Sequence, residues 1–152
     1  GRNRLNNYIA VHQAHMSDLV LDGFVVRDDS SFLTLPSVVI LEGTIVCLDG
    51  ISLDVQKQIT ILEGTGHTAW VKTTQFTYQA WIRGGASIFR YCSPHGHRPY
   101  VHKHVFAPFD SGRETEIVEI TDEDRIPTMR EVIEELREWH GHHAARIRDE
   151  LR

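Results

Sequence analysis

Cysteine is scarce in this chain: there are two in 152 residues, Cys47 and Cys92. Their spacing matches neither a paired-cysteine zinc motif nor a disulfide framework, and both fall in apolar, strand-like runs where free thiols pack as small hydrophobes. A reducing, cytoplasmic setting suits such a chain. Long hydrophobic runs are also lacking. No stretch reaches the ~18 apolar residues of a membrane span, and no basic segment precedes an apolar one at the N-terminus, so nothing in the chain signals secretion or membrane insertion. Nor is positive charge in excess. The 16 basic and 21 acidic residues give a formal charge of −5 and a pI near 6.0, which argues against coating nucleic acid through global charge. Any polyanion site must be local. Internal repeats and low-complexity stretches are absent, and 152 residues suffice for one core and one domain.

Residues 1–16 are polar without a clear period and read as a leader or disordered segment ending at Met16, with a single domain over 17–152. From Leu33 onward the pattern changes. Segments 38–41 and 43–48 are strand-like, and Asp49-Gly50 marks a hairpin turn because that pair supplies the positive φ angles such a turn needs. The returning strand is 51–61. Strict alternation over 73–83 predicts the next strand, Gly84-Gly85 its turn, 87–92 the return and 116–120 one strand more. Thr128 and Glu131 have the spacing of a capping box, and Met129, Val132, Ile133, Leu136 and Trp139 or His140 form a stripe at helical spacing. The fold class expected is therefore α+β, an antiparallel sheet built from hairpins with a C-terminal helix packed on one face.

The segment 94–106 holds four of the ten histidines: His95, His97, His102 and His104. In extended backbone, residues i and i+2 share a face, so His102 and His104 project side by side while Lys103 points the other way. Three chemistries fit this pattern. A solvated histidine-rich loop is the plainest, although Val101, Val105 and Phe106 favour an ordered strand. A metal site is the second: neutral imidazole ligates zinc and other divalent transition metals, and His95, His97, His102 and His104 are the available ligands. The third is metal-independent phosphodiester cleavage. It needs a base for the 2′-hydroxyl, an acid for the leaving oxygen and cations for the developing charge. Histidine serves both proton transfers near neutral pH. Arg90, Arg98 and Lys103 supply charge, and Tyr78, Tyr91 and Tyr100 are able to stack on bases.

Several of these features occur together in a known order. They are the hairpin from Gly43-Thr44-Ile45 to Asp49-Gly50-Ile51-Ser52-Leu53, the strand Phe76-Thr77-Tyr78 and the run Ile88-Phe89-Arg90-Tyr91, followed by Pro94-His95 and His102-Lys103-His104-Val105 ahead of the C-terminal helix. In this order the chain resembles the TumE family of toxins from prokaryotic toxin–antitoxin pairs, over roughly residues 36–139. The portion from Arg90-Tyr91 to His102-Lys103-His104 is the specific one. The resemblance implies an endoribonuclease acting on RNA and silenced by a cognate antitoxin with a DNA-binding fold, and the histidine chemistry above would let it work without metal; a homodimer is an open option. It further implies His102 and His104 as proton-transfer residues, with Arg90, His95 and Lys103 around the phosphate. After the Arg-Tyr pair the family tends to carry an acidic or amide residue, where this chain has Cys92-Ser93.

The remaining signals read as structural. Trp139-His140-Gly141-His142-His143 looks like a solvated terminus interrupted by glycine. Glu114, Glu116, Glu119, Asp122, Glu123 and Asp124 form a charged strand edge and a helix-entry loop, with a carboxylate that orients a histidine as the lesser reading. Trp70 and Trp81 belong to the core or a sheet face.

Overall fold

The structure is a computed structural model describing residues 1–150. Its elements in chain order are β1 (Asn3–Arg4), α1 (Leu5–Leu21), β2 (Val25–Asp28), β3 (Ser31–Thr34), β4 (Val38–Cys47), β5 (Ile51–Glu63), β6 (Trp70–Ile82), β7 (Ala86–Cys92), β8 (Val101–Ala107), β9 (Arg113–Ile120) and α2 (Met129–Glu150). All nine strands form one sheet in the order β2-β4-β5-β6-β7-β8-β9, with β3 alongside β4 and β1 alongside β6. Every pairing is antiparallel. The α+β class and the C-terminal helix on the sheet match the expectation from the sequence. No helix among the described residues is long and apolar enough to cross a membrane.

The turns follow from local chemistry. Asp49 and Gly50 carry φ of 54° and 78° between β4 and β5, which is why that pair closes the hairpin. Gly43 serves a different need. The chain crosses from β2 to β3 directly over it, and a Cβ there would stand 2.5 Å from the Asp29 carbonyl oxygen and the Ser30 Cα. Only glycine lets both short strands share β4 as their neighbour.

Alternation sends Ile45, Ile51, Leu53, Val55, Ala80 and Ile82 into the core, and Val132, Ile133 and Leu136 of α2 complete it without measurable exposure. Each valine, leucine or isoleucine among them contributes ~1.5–3 kcal/mol through burial. The capping box closes in both directions: the Glu131 N–H donates to Thr128 Oγ1 (3.2 Å) and the Thr128 N–H to Glu131 Oε1 (3.1 Å).

Two expectations are corrected. Residues 3–16 are not outside the fold. β1 pairs with β6, and α1 buries Leu5, Met16 and Leu19 against the sheet. The helical period 5, 8–9, 12, 16, 19 is present in the sequence, but exposed Val11, Val20 and Leu21 blur it. Gly141 does not end α2 either. A mid-helix glycine costs ~1 kcal/mol relative to alanine. Contacts on both sides of it outweigh that cost: His140 Nε2 pairs with Asp49 Oδ2 at 2.8 Å, His143 stacks on Trp139 at 4.3 Å, and Ile147 is buried.

Candidate metal centre

The β7–β8 hairpin divides its side chains between two faces. Register pairs Phe89 with Val105, Arg90 with His104, Tyr91 with Lys103 and Cys92 with His102. Paired residues share a face. Tyr91 and Lys103 therefore lie under α2, and Arg90, Cys92, His102 and His104 lie on the opposite side.

On the α2 side the hairpin's two polar side chains share one carboxylate. Lys103 Nζ donates to Glu135 Oε2 at 2.6 Å and the Tyr91 hydroxyl to Glu135 Oε1 at 2.5 Å. Burial first, then the Glu135 carboxylate, pushes the Tyr91 phenol well above its ordinary range. Tyr78 faces the same side, 2% exposed and stacked on Phe76, with its phenol also pushed up by burial. Three residues expected to bind RNA, Lys103, Tyr78 and Tyr91, are thus on the helix-covered face, away from the histidines. Pleat alternation across one hairpin separates them.

On the other face, His102 is fully buried and His104 is 8% exposed. The chain between β7 and β8 turns back sharply, held by reciprocal backbone hydrogen bonds between His95 and Arg98 (3.0 and 2.9 Å). This turn lays the exposed His95 over His102, with Nε2 to Nε2 at 3.2 Å. Each strand histidine is fixed through its other ring nitrogen. His102 Nδ1 lies 3.1 Å from the Tyr100 carbonyl, and His104 Nδ1 lies 2.5 Å from Glu114 Oε1. A carbonyl only accepts, so His102 carries its proton on Nδ1 and presents a lone pair at Nε2. The Glu114 contact selects the same tautomer for His104.

Glu114 reaches His104 because of a bulge. The register passes from Val105 opposite Glu116 to Phe106 opposite Glu114, skipping Thr115. Without that extra residue Glu114 would point to the other face. The reading of a carboxylate that orients a histidine is met by this one residue.

The result is a convergent set of donors. One ligand atom each from Cys92, His102 and His104 lies within 4.8 Å of the others, and all three residues are buried. His104 Nε2 is buried without a hydrogen-bond partner among the described residues. An unpaired buried acceptor costs about 1–3 kcal/mol, so its presence needs a reason. A divalent metal supplies one. The donor set, thiolate and imidazole, suits zinc. The His95–His102 separation of 3.2 Å is near the ~3.3 Å edge between two nitrogens on tetrahedral zinc. Carbonyl and carboxylate contacts behind the histidines are the usual outer supports of metal-bound imidazole.

Burial, the neighbouring imidazoles of His104 and His95, and the Arg98 charge hold His102 below the ordinary histidine pKa, against the opposing pull of the Tyr100 carbonyl. The neutral ring is the ligating form.

The ligand set expected from sequence changes at two positions. His95 meets His102 at 3.2 Å but lies outside the compact group of three donors. His97 stands exposed at the tip of the turn and is outside the group too, whereas Cys92 is inside it. Cys92 reads as an ordinary buried thiol until the β7–β8 register places it opposite His102. Cys47 plays no such part; burial pushes its thiol up to about 12. Arg98 pairs with Glu119 at 3.8 Å, and Arg90 is half-buried beside His104 with no ion pair among the described residues. Comparison with family models, with curated proteins and with solved structures finds no match to this chain.

Proposed function

We propose that the chain is a transition-metal protein, with zinc held by Cys92 Sγ and the Nε2 atoms of His102 and His104, and with His95 as a fourth, displaceable ligand. The observation that carries this reading is His104 Nε2, buried and unpaired within a cluster of donors. Three ligands come from two hydrogen-bonded strands and are rigidly placed. His95 comes from an exposed turn. With His95 bound, the site is a closed four-ligand centre; with His95 swung away, one position opens to water, the arrangement of hydrolytic zinc.

The test is metal content of untagged protein after exposure to zinc and removal of excess, together with the absorption of the cobalt-substituted form. One metal per chain and a thiolate-to-cobalt band that disappears in Cys92→Ser is the expected result. Less than stoichiometric metal, or a band unchanged by Cys92→Ser, overturns the reading.

A second reading, the endoribonuclease implied by the resemblance, keeps one observation in its favour. The exposed His95 is hydrogen-bonded to His102 and lies close to Arg98, so it has both a proton partner and a cation nearby. A role for His104 as a base is harder to reconcile with a buried Nε2, since a base must come within hydrogen-bond reach of substrate. RNA cleavage that persists in EDTA and is lost in His95→Ala would favour this second reading over the first.

A further inference from the structure

The sheet sends two lysines toward its helix-covered face, and they meet different surroundings. Lys103 finds Glu135 at 2.6 Å. Lys57 of β5 is opposite Leu41 and Phe76, beneath α1, half-buried and without an ion pair among the described residues. Its Nζ lies 5.1 Å from the centroid of the Tyr8 ring, and its charge is felt by His12. A half-buried cationic side chain without a counter-charge is unfavourable.

Two adjoining cavities, of about 220 and 520 Å³, open at this lysine and share Tyr8, Lys57, Thr128 and Met129 in their walls. The inner one is floored by Met16 and Leu19, both buried apolar residues of α1. The outer one is lined by Tyr78, 2% exposed, whose hydroxyl has no hydrogen-bond partner among the described residues, and by Lys72. The first turn of α2 borders both, and a helix leaves its first N–H groups without intrahelical acceptors. Arg130 also lines the inner cavity, but its charge is taken up by Asp18 and Glu134. Glu123, at the outer cavity, is the one carboxylate in either wall among the described residues.

We propose that this crevice binds a small amphipathic organic anion, a carboxylate or phosphate monoester on a short apolar body. The anionic head sits on Lys57 within reach of the Tyr78 hydroxyl, and the body lies against Met16 and Leu19. The head supplies the counter-charge that Lys57 lacks, and the body covers the apolar wall at Val11, which α1 leaves 44% exposed. The site is separate from the metal centre, and the inference does not depend on that centre.

The test is an NMR titration of the intact protein with hexanoate and with hexyl phosphate, using hexan-1-ol and inorganic phosphate as controls that carry one half of the chemistry each. At least one amphipathic anion binds about tenfold or more tightly than either control, perturbing the amides of Tyr8, Lys57 and Met129; which of the two binds better identifies the head group. Lys57→Met weakens that binding at least about tenfold while the thermal midpoint holds or rises, and Lys57→Arg keeps it. Hexan-1-ol binding as well as both anions overturns the proposal. So does undiminished binding by Lys57→Met, or the absence of perturbation at those three amides.

Discussion

The two faces of the β7–β8 hairpin bury polar groups in opposite ways. Under α2, Lys103 and Tyr91 both end on Glu135, one on each carboxylate oxygen. On the other face each strand histidine is satisfied at Nδ1, while the two rings and Cys92 bring ligand atoms within 4.8 Å of one another and His104 Nε2 is left unpaired among the described residues. A buried polar group with all its partners holds a fold together. One with half its partners, converging on a common point, is prepared for something that the chain does not itself supply.

The sharpest way to break this comparison is to add metal. A ligand that binds only the folded state stabilises it by about 4 kcal/mol at a thousandfold excess over its Kd. Zinc at such an excess is expected to raise the thermal midpoint by several degrees in the parent protein and not in His104→Ala or Cys92→Ser. An equal rise in all three proteins would place the metal elsewhere. Changes on the α2 face are expected to leave this response to metal intact.

The next effect separates two glutamates. Glu114 supports a ligand, so Glu114→Gln should lower zinc affinity about 10–100-fold with little change in the stability of the metal-free protein. Glu135 is structural. Glu135→Ala leaves Lys103 and Tyr91 without their acceptor and should cost about 1–3 kcal/mol in denaturant unfolding, with zinc affinity unchanged. If the two variants behave alike, the functional distinction between the faces fails.

Much of this contrast was legible before folding, because it rests on local periodicity. The shared face of His102 and His104, the opposite direction of Lys103, the Asp49-Gly50 turn and the Thr128–Glu131 capping box all follow from spacings of one to three residues. What was not legible depends on register between distant segments. Cys92 joins the histidines because a hairpin closed by an eight-residue connection pairs it with His102, and Glu114 joins them because β9 skips one residue. The α1 helix was hidden for another reason: its inward stripe includes a half-buried tyrosine and a half-buried histidine, and its exposed face carries valines and a leucine. The grouping of Tyr78, Tyr91 and Lys103 with the histidines followed closeness in sequence, which pleating does not respect.

The smallest effect tests whether a histidine–carboxylate pair is by itself a sign of a site. His140 and Asp49 form such a pair at 2.8 Å, as His104 and Glu114 do, but His140 belongs to the helix and joins no donor cluster among the described residues. The hydrogen bond from His140, with the charges of Arg148 and His140 adding to it, holds the Asp49 carboxyl below the usual carboxylate range despite the opposing effect of burial. Because the folded-state value is depressed, the stabilisation is complete above the unfolded carboxylate value near pH 4 and is lost as pH falls through the lower folded value. For a pair near the surface this amounts to no more than about 1 kcal/mol. Asparagine tolerates the left-handed backbone that Asp49 occupies at φ 54°, so Asp49→Asn removes the charge without straining the turn. Thermal melts between pH 6 and pH 2.5 should show a shallower acid-side loss in Asp49→Asn than in the parent, and zinc binding near neutral pH should be the same in both. A loss of zinc binding in that variant would mean that the β4–β5 turn and the metal centre are coupled, and that the histidine pair on α2 is more than a structural clasp.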